Sequence, residues 1–130
     1  MPRTIVRTGD APAAIGPYSQ AVLVDGWLYT AGQIALDPAT GELTGATAPA
    51  QARRALENAR AIVQAAGLTL ADVVKVTVFL RDLGEFGAVN EVYREFFPEA
   101  PPARSLVEVS RLPKDALFEV DMVARAPAAR

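Results

Sequence analysis

Arg104 follows Pro101-Pro102-Ala103, heads an apolar run, and has the plainest capacity for chemistry in this sequence. Its planar guanidinium can hold a carboxylate through two parallel charge-assisted bonds, each contributing about 1.5–3 kcal/mol. The alternative is a surface pair with Glu108, on the same side of an extended strand. In a second apolar run, Glu119 and Asp121 share one face with Leu117 and Val123, while Phe118, Val120 and Met122 take the other. The two carboxylates either form a solvated polar face, or one of them is partly buried and activates water or shuttles a proton. Tyr18, in Gly16-Pro17-Tyr18, either packs on its own turn or presents its hydroxyl to a ligand. Gly32, in Ala31-Gly32-Gln33, marks a bulge or tight packing, or lets a substrate approach the backbone. Asn90, within a helical pattern, is a solvated or capping amide or a substrate ligand.

Carboxylates carry this weight because the chain has no His and no Cys. Without His, the commonest general base near neutral pH and the commonest metal ligand are missing, as is every Ser-His or Cys-His pair. Without Cys there is no disulfide, no thiolate nucleophile and no zinc-thiolate site. Catalysis must run on carboxylates, Arg, Tyr, hydroxyls, backbone groups and water. No phosphate loop, dinucleotide-binding glycine motif, nucleophile elbow or metal-ligand cluster appears, so no cofactor and no metal is implied. Lys plus Arg is 13 against 15 for Asp plus Glu, which leaves no positive field to hold a nucleic acid or an anionic membrane. Trp27, Tyr29 and Tyr93 lack interleaved basic residues and read as core or interface aromatics. The first residues, Met-Pro-Arg-Thr-Ile-Val-Arg, contain no apolar h-region, and no stretch approaches the ~20 apolar residues of a membrane helix. A cytoplasmic location and a small neutral or anionic partner are expected.

The elements that must position these residues are legible as apolar periods. At 130 residues and 51% hydrophobic composition, a single domain spanning 1–130 with a real core is expected. Residues 4–7 predict a short strand, and 19–24 and 27–33 predict a hairpin about Asp25-Gly26, whose turn positions favour φ > 0. Thr47 caps a helix that tolerates Pro49 in its first turn and stops at Gly67. Ala52, Leu56, Ala59, Ile62, Val63 and Ala66 form its apolar stripe. Residues 73–80 read as a β-branched strand with Val74, Val76, Val78 and Leu80 on one face and Val73 and Phe79 on the other. Asp82 with Glu85 resembles a capping box opening a second helix, with Phe86, Val89, Tyr93, Phe96 and Phe97 as its stripe. Prolines 98, 101 and 102 end that helix. Residues 103–109 and 117–124 then make a second hairpin around the Leu112-Pro113-Lys114-Asp115 turn. The order ββ-α-β-α-ββ is an α+β fold whose two helices cover one sheet face, so the second face is expected to meet another subunit.

Taken together, residues 11–20, Gly32-Gln33-Ile34, residues 78–83, Pro102-Ala103-Arg104-Ser105 and residues 107–115 resemble the RidA/YjgF family over about 11–124. The resemblance implies a chorismate-mutase-like α+β fold assembled as a homotrimer, with ligand clefts between subunits around a central barrel of sheets. It implies cofactor-independent hydrolysis of enamine and imine intermediates such as 2-aminoacrylate, 2-iminopropanoate and 2-iminobutanoate to 2-oxo acids and ammonia. By position, Arg104 matches the family arginine that grips the substrate carboxylate, and Glu119 the carboxylate that positions or activates water. Tyr18 matches a cleft tyrosine, Gly32 a backbone contact near the reacting carbon, and Asn90 a cleft-lining asparagine. The family often has Ser where this chain has Ala31 and Cys where it has Leu106, which implies a more apolar pocket here. A competing reading keeps the fold and makes the protein a non-enzymatic small-acid-binding regulatory module. A ribonuclease-like reading finds no basic stripe and no His to support it.

Overall fold

The computed structural model describes residues 2–127. Three strands, β1 (Thr4–Val6), β2 (Ala21–Val24) and β3 (Trp27–Thr30), form an antiparallel meander. Asp25 and Gly26 join the last two at φ 53° and 81°, the left-handed pair that a type I′ hairpin turn requires. Helix α1 (Ala48–Ala65) begins at Thr47, whose side chain accepts from the Ala50 amide at 3.3 Å, with Pro49 in the first turn. Its stripe is buried from Ala52 to Val63, and the chain leaves the helix through Gly67 at φ 83°.

Strand β4 (Val73–Leu80) lies one strand in from the edge of the sheet. It is followed by α2 (Phe86–Phe96), β5 (Ala103–Glu108) and β6 (Phe118–Arg125). The sheet order is β1-β2-β3-β6-β4-β5, antiparallel throughout except for the β4–β5 pair. That one parallel pair follows from α2, because strands joined by a crossover helix run the same way. The buried residues of β4 and β6, Val76, Val78, Leu80, Phe118, Val120 and Met122, share one face and pack with the stripe of α1 and with Val89 of α2. At roughly 1.5–3 kcal/mol per fully buried aliphatic or aromatic side chain, this layer is the main source of stability. Trp27, Tyr29 and Val107 stand exposed on the opposite face.

Three expectations need correction. The C-terminal strands are not a hairpin: β6 inserts between β3 and β4, and β5 takes the edge. The alternately buried Phe118, Val120, Met122 and Ala124 make β6 the strand best matched to the sheet centre. The β4 faces are not a simple alternation, because a register shift between Val73 and Lys75 turns Val73 into the core and leaves Val74 44% exposed. A bulge of this kind adds one residue and resets which side each later residue faces. Asp82 accepts from the Gly84 amide and caps a short 3-10 turn over Leu83–Glu85, not α2 directly, and Phe86 lies 43% exposed outside the core stripe.

Candidate active site

Glu119 sits on β6 between Phe118 and Val120, whose side chains are wholly buried on the helix face, so its carboxylate projects from the open face. The chain after β3 is drawn beside it by a bridge in which the Gln33 amide donates to the Val120 carbonyl at 2.8 Å and the Val120 amide returns a bond to Gln33 at 3.0 Å. This bridge presses Gly32 against the carboxylate. A Cβ built on Gly32 would overlap Glu119 Oε2, so the glycine is required by close approach, not by backbone dihedral. Gly32→Ala therefore forces the flexible end of Glu119 aside while leaving the strands intact. We expect a turnover number lowered about tenfold with little change in melting temperature, read by steady-state kinetics beside a thermal melt.

Tyr18, Gly32 and Glu119 line one cleft of about 450 Å³, whose other walls are largely apolar and include Ile15, Ile34 and Leu36. Ala31 lines it too. Burial, and then the charge of Asp121, push the Glu119 carboxyl above the ordinary carboxylate range. Asp121 is also raised by burial, against the opposing pull of Thr77 and Lys75. A carboxyl raised on folding contributes stability that is present below its unfolded value and is lost as pH rises through the folded one. The same shift moves the acid limb of any Glu119-dependent activity above about 4.3, the usual glutamate value.

Arg104 is built from the other side of the sheet. It pairs in register with Val76, a core residue on the helix face, and leans onto α2. Its Nη1 donates to Asn90 Oδ1 at 2.8 Å, and its guanidinium carbon lies 4.6 Å from the Tyr93 ring centroid and 5.7 Å from that of Phe86. Cation–π contact and the amide bond fix the fork, yet among the described residues no carboxylate forms an ion pair with it. Glu108 accepts instead from the Leu83 amide at 2.8 Å, so the alternative Arg104–Glu108 pair does not form. Arg104 and Asn90 line a second cleft of about 490 Å³ with Tyr93 and Pro102. Tyr93 is pushed up to about 12 by burial, opposed by Arg104, and its hydroxyl has no hydrogen-bond partner among the described residues. Leu106, two residues on from Arg104, packs against the main core.

The five candidate residues thus fall into two groups: Tyr18, Gly32 and Glu119 in one cleft, Asn90 and Arg104 in another, on opposite faces of one sheet. Nothing in the periodicity of α2 marks Tyr93 and Phe86 as the platform for Arg104, since both read as core stripe. The buried amides also escape local reading. Asn58 donates to the carbonyls of Ile34 and Leu36 at 3.2 and 2.9 Å, and Gln51 accepts from the Leu117 amide at 2.8 Å. Their one available signal is spacing: Gln51 and Asn58 fall at i and i+7, in line with Ala55 at i+4 and Ile62 at i+11 on an otherwise apolar stripe.

Among the described residues no helix is long and apolar enough to cross a membrane. Residues 8–126 match a protein-family model described as Endoribonuclease L-PSP. A goat protein (Capra hircus) named 2-iminobutanoate/2-iminopropanoate deaminase is 47% identical over 94% of this chain and 89% of its own length. Relatives from Pyrococcus, 51% identical, carry the name RutC family protein. The crystal structure of the E. coli YjgF gene product superimposes with TM-score 0.91 at 48% identity, covering 95% of this chain and 99% of that one. E. coli TdcF, crystallised with bound serine, gives TM-score 0.91 at 46% identity over the same shares. Family model, sequence identity and superposition agree over nearly the whole chain, which is a member of the RidA/YjgF/RutC family.

Proposed function

We propose that this protein hydrolyses small reactive 2-imino acids to 2-oxo acids and ammonia, in a site completed by two neighbouring protomers of a homotrimer. The observation that carries the proposal is Arg104: a part-buried guanidinium oriented by Asn90, Tyr93 and Phe86 but without a counter-charge among the described residues. Of its five N–H donors, only one is engaged by Asn90, so a planar carboxylate can be gripped by the fork. Glu119 lies across the sheet from it, and a substrate of a few atoms cannot span a sheet and its side chains. The open face, with Trp27, Tyr29 and Val107 exposed, is the surface on which a second copy would dock and bring its own Arg104 to this Glu119. The deaminase name of the goat relative and the bound serine of TdcF support a ligand with a carboxylate beside a nitrogen-bearing carbon.

The chemistry needs little more. An enamine such as 2-aminoacrylate first takes a proton on its terminal carbon to become the iminium, whose carbon is electrophilic without assistance from a metal. Water attacks that carbon while the Glu119 carboxylate takes a proton from it, giving a carbinolamine. The Glu119 acid then passes the proton to nitrogen; as the C–N bond breaks, the carbinol hydroxyl gives its proton to the Glu119 carboxylate, the carbonyl forms, and the departing ammonia carries that proton away as ammonium. A carboxyl raised by burial suits both halves, since it takes a proton from activated water and gives it back. Gly32 keeps backbone close to the water, and Tyr18 closes the cleft.

The test is to generate 2-imino acids with an amino-acid oxidase or dehydratase and time their decay with and without the protein. Faster decay is expected, with longer or branched imino acids favoured over 2-iminopropanoate, because Ala31, Ile15, Ile34 and Leu36 give the Glu119 cleft an apolar wall. No acceleration sinks the proposal; a preference for 2-iminopropanoate sinks the specificity. The family model's ribonuclease description finds little support in a chain of net charge −2 with no His.

A further inference from the structure

Residues 8–18 contain no helix or strand, yet they form the wall of the Glu119 cleft that carries Tyr18. A loop of that length with apolar and small residues is free to wander unless something ties it. Its internal bonds are few and local, spanning two or three residues each: the Asp10 amide to Thr8 Oγ1 at 3.1 Å, the Ile15 amide to the Tyr18 hydroxyl at 3.5 Å, and the Tyr18 amide to the Gly16 carbonyl at 2.8 Å. Among the described residues, the one side chain outside the segment that hydrogen-bonds to it is Gln20, itself only 5% exposed. Gln20 Oε1 accepts from the Thr8 amide at 2.8 Å, and Nε2 donates to the carbonyls of Pro12, Thr8 and Ala11 at 2.7, 3.1 and 3.3 Å. Its backbone carbonyl meanwhile accepts from the Ala31 amide at 2.8 Å, next to Gly32.

We propose that Gln20 is a positioning residue for the reaction, setting the Tyr18 wall against the Gly32–Glu119 wall so that the hydroxyl and the water meet the same carbon. The inference rests on the proposed imine hydrolysis. One buried amide holds the loop through its side chain and the opposite wall through its main chain, so the width of the cleft is fixed by the geometry of a single residue. An apolar residue of equal length would fill the space and leave buried carbonyls unpaired, which loosens the loop and not the sheet. Substrate grip, assigned to Arg104, does not pass through Gln20. Loss at this position should therefore appear in kcat and not in KM.

Gln20→Met should lower kcat about 10- to 100-fold, the scale of a misplacement near 1 Å, with KM changed less than about threefold. In a Tyr18→Phe background the same substitution should cost almost nothing further, because both changes act on one wall. Hydrogen exchange should quicken in residues 8–18 and stay unchanged in β4 and β6. If Gln20→Met fails to fold, Gln20→Glu, which keeps the Thr8 contact but points an oxygen at three carbonyls, carries the same kinetic comparison. A kcat within about twofold of wild type, or losses that multiply with Tyr18→Phe, would overturn the inference. An inactive wild-type protein would sink the hydrolysis reading by itself. Exchange in residues 8–18 then decides the tether separately, and an unchanged rate in Gln20→Met refutes it.

Discussion

Arg104→Ala is expected to lower kcat/KM for imine hydrolysis about 10²- to 10³-fold, and Arg104→Lys nearly as far. Two charge-assisted bonds to a carboxylate contribute about 3 kcal/mol or more together, and each 1.4 kcal/mol is a factor of ten. The lysine variant is the sharper probe because it keeps the charge. An ammonium cannot present two parallel N–H groups, and it stacks less well on the rings of Tyr93 and Phe86 that hold the guanidinium. Asn90, which now accepts from Nη1, would compete for the shorter cation. Because Arg104 lies on an edge strand and outside the core, melting temperature should move little in either variant. Near wild-type kcat/KM in Arg104→Lys would mean that charge alone suffices and that the oriented fork has another purpose.

Glu119→Gln should lower kcat about 10²- to 10⁴-fold, the range for losing a general acid–base, while 2-oxo acid binding is retained. It should also abolish the acid limb of the pH profile that the raised carboxyl places above the ordinary glutamate range. A small-acid sensor would have no hydrolysis to lose, so wild-type turnover followed by its collapse in this variant separates enzyme from binding module. The largest effect comes from combining the two changes. Arg104 and Glu119 occupy opposite faces of one sheet, and the proposed site therefore draws them from different protomers. Co-refolding Arg104→Ala with Glu119→Gln protomers in equal amounts should restore about one quarter of wild-type activity, since half the boundaries offer an intact arginine and half of those an intact glutamate. Two inactive proteins that stay inactive when mixed would refute a site shared between copies. A sedimentation profile of a monomer would refute it independently.

Much of the framework is written in local chemistry. The Asp25-Gly26 turn is legible because few residues accept left-handed backbone at both positions, and α1 because Thr47, Pro49 and Gly67 bracket an apolar stripe with a helical period. The β4 boundaries are legible for a similar reason, as eight residues rich in Val between polar turns. The pairing partners of β5 and β6 are not. Two apolar strands joined by a turn fit a hairpin as well as they fit separate slots in a sheet, and only competition for the centre among all six strands decides. The Val73–Val74 inversion escaped for a related reason, since one inserted residue leaves composition unchanged and reverses every facing.

By itself the sequence determined which groups were available for chemistry: no imidazole, no thiol, and a few arginines and carboxylates at positions resembling a known family. It also determined the elements that carry them, because helix and strand periods are properties of neighbours along the chain. Only tertiary structure decided that Arg104 rests on Asn90 and two aromatic rings instead of Glu108, that Gly32 is pressed against the Glu119 carboxylate, and that the two candidate clefts open on opposite faces. Those facts depend on contacts between residues 14 to about 90 positions apart, and no local pattern records which distant groups packing will bring together.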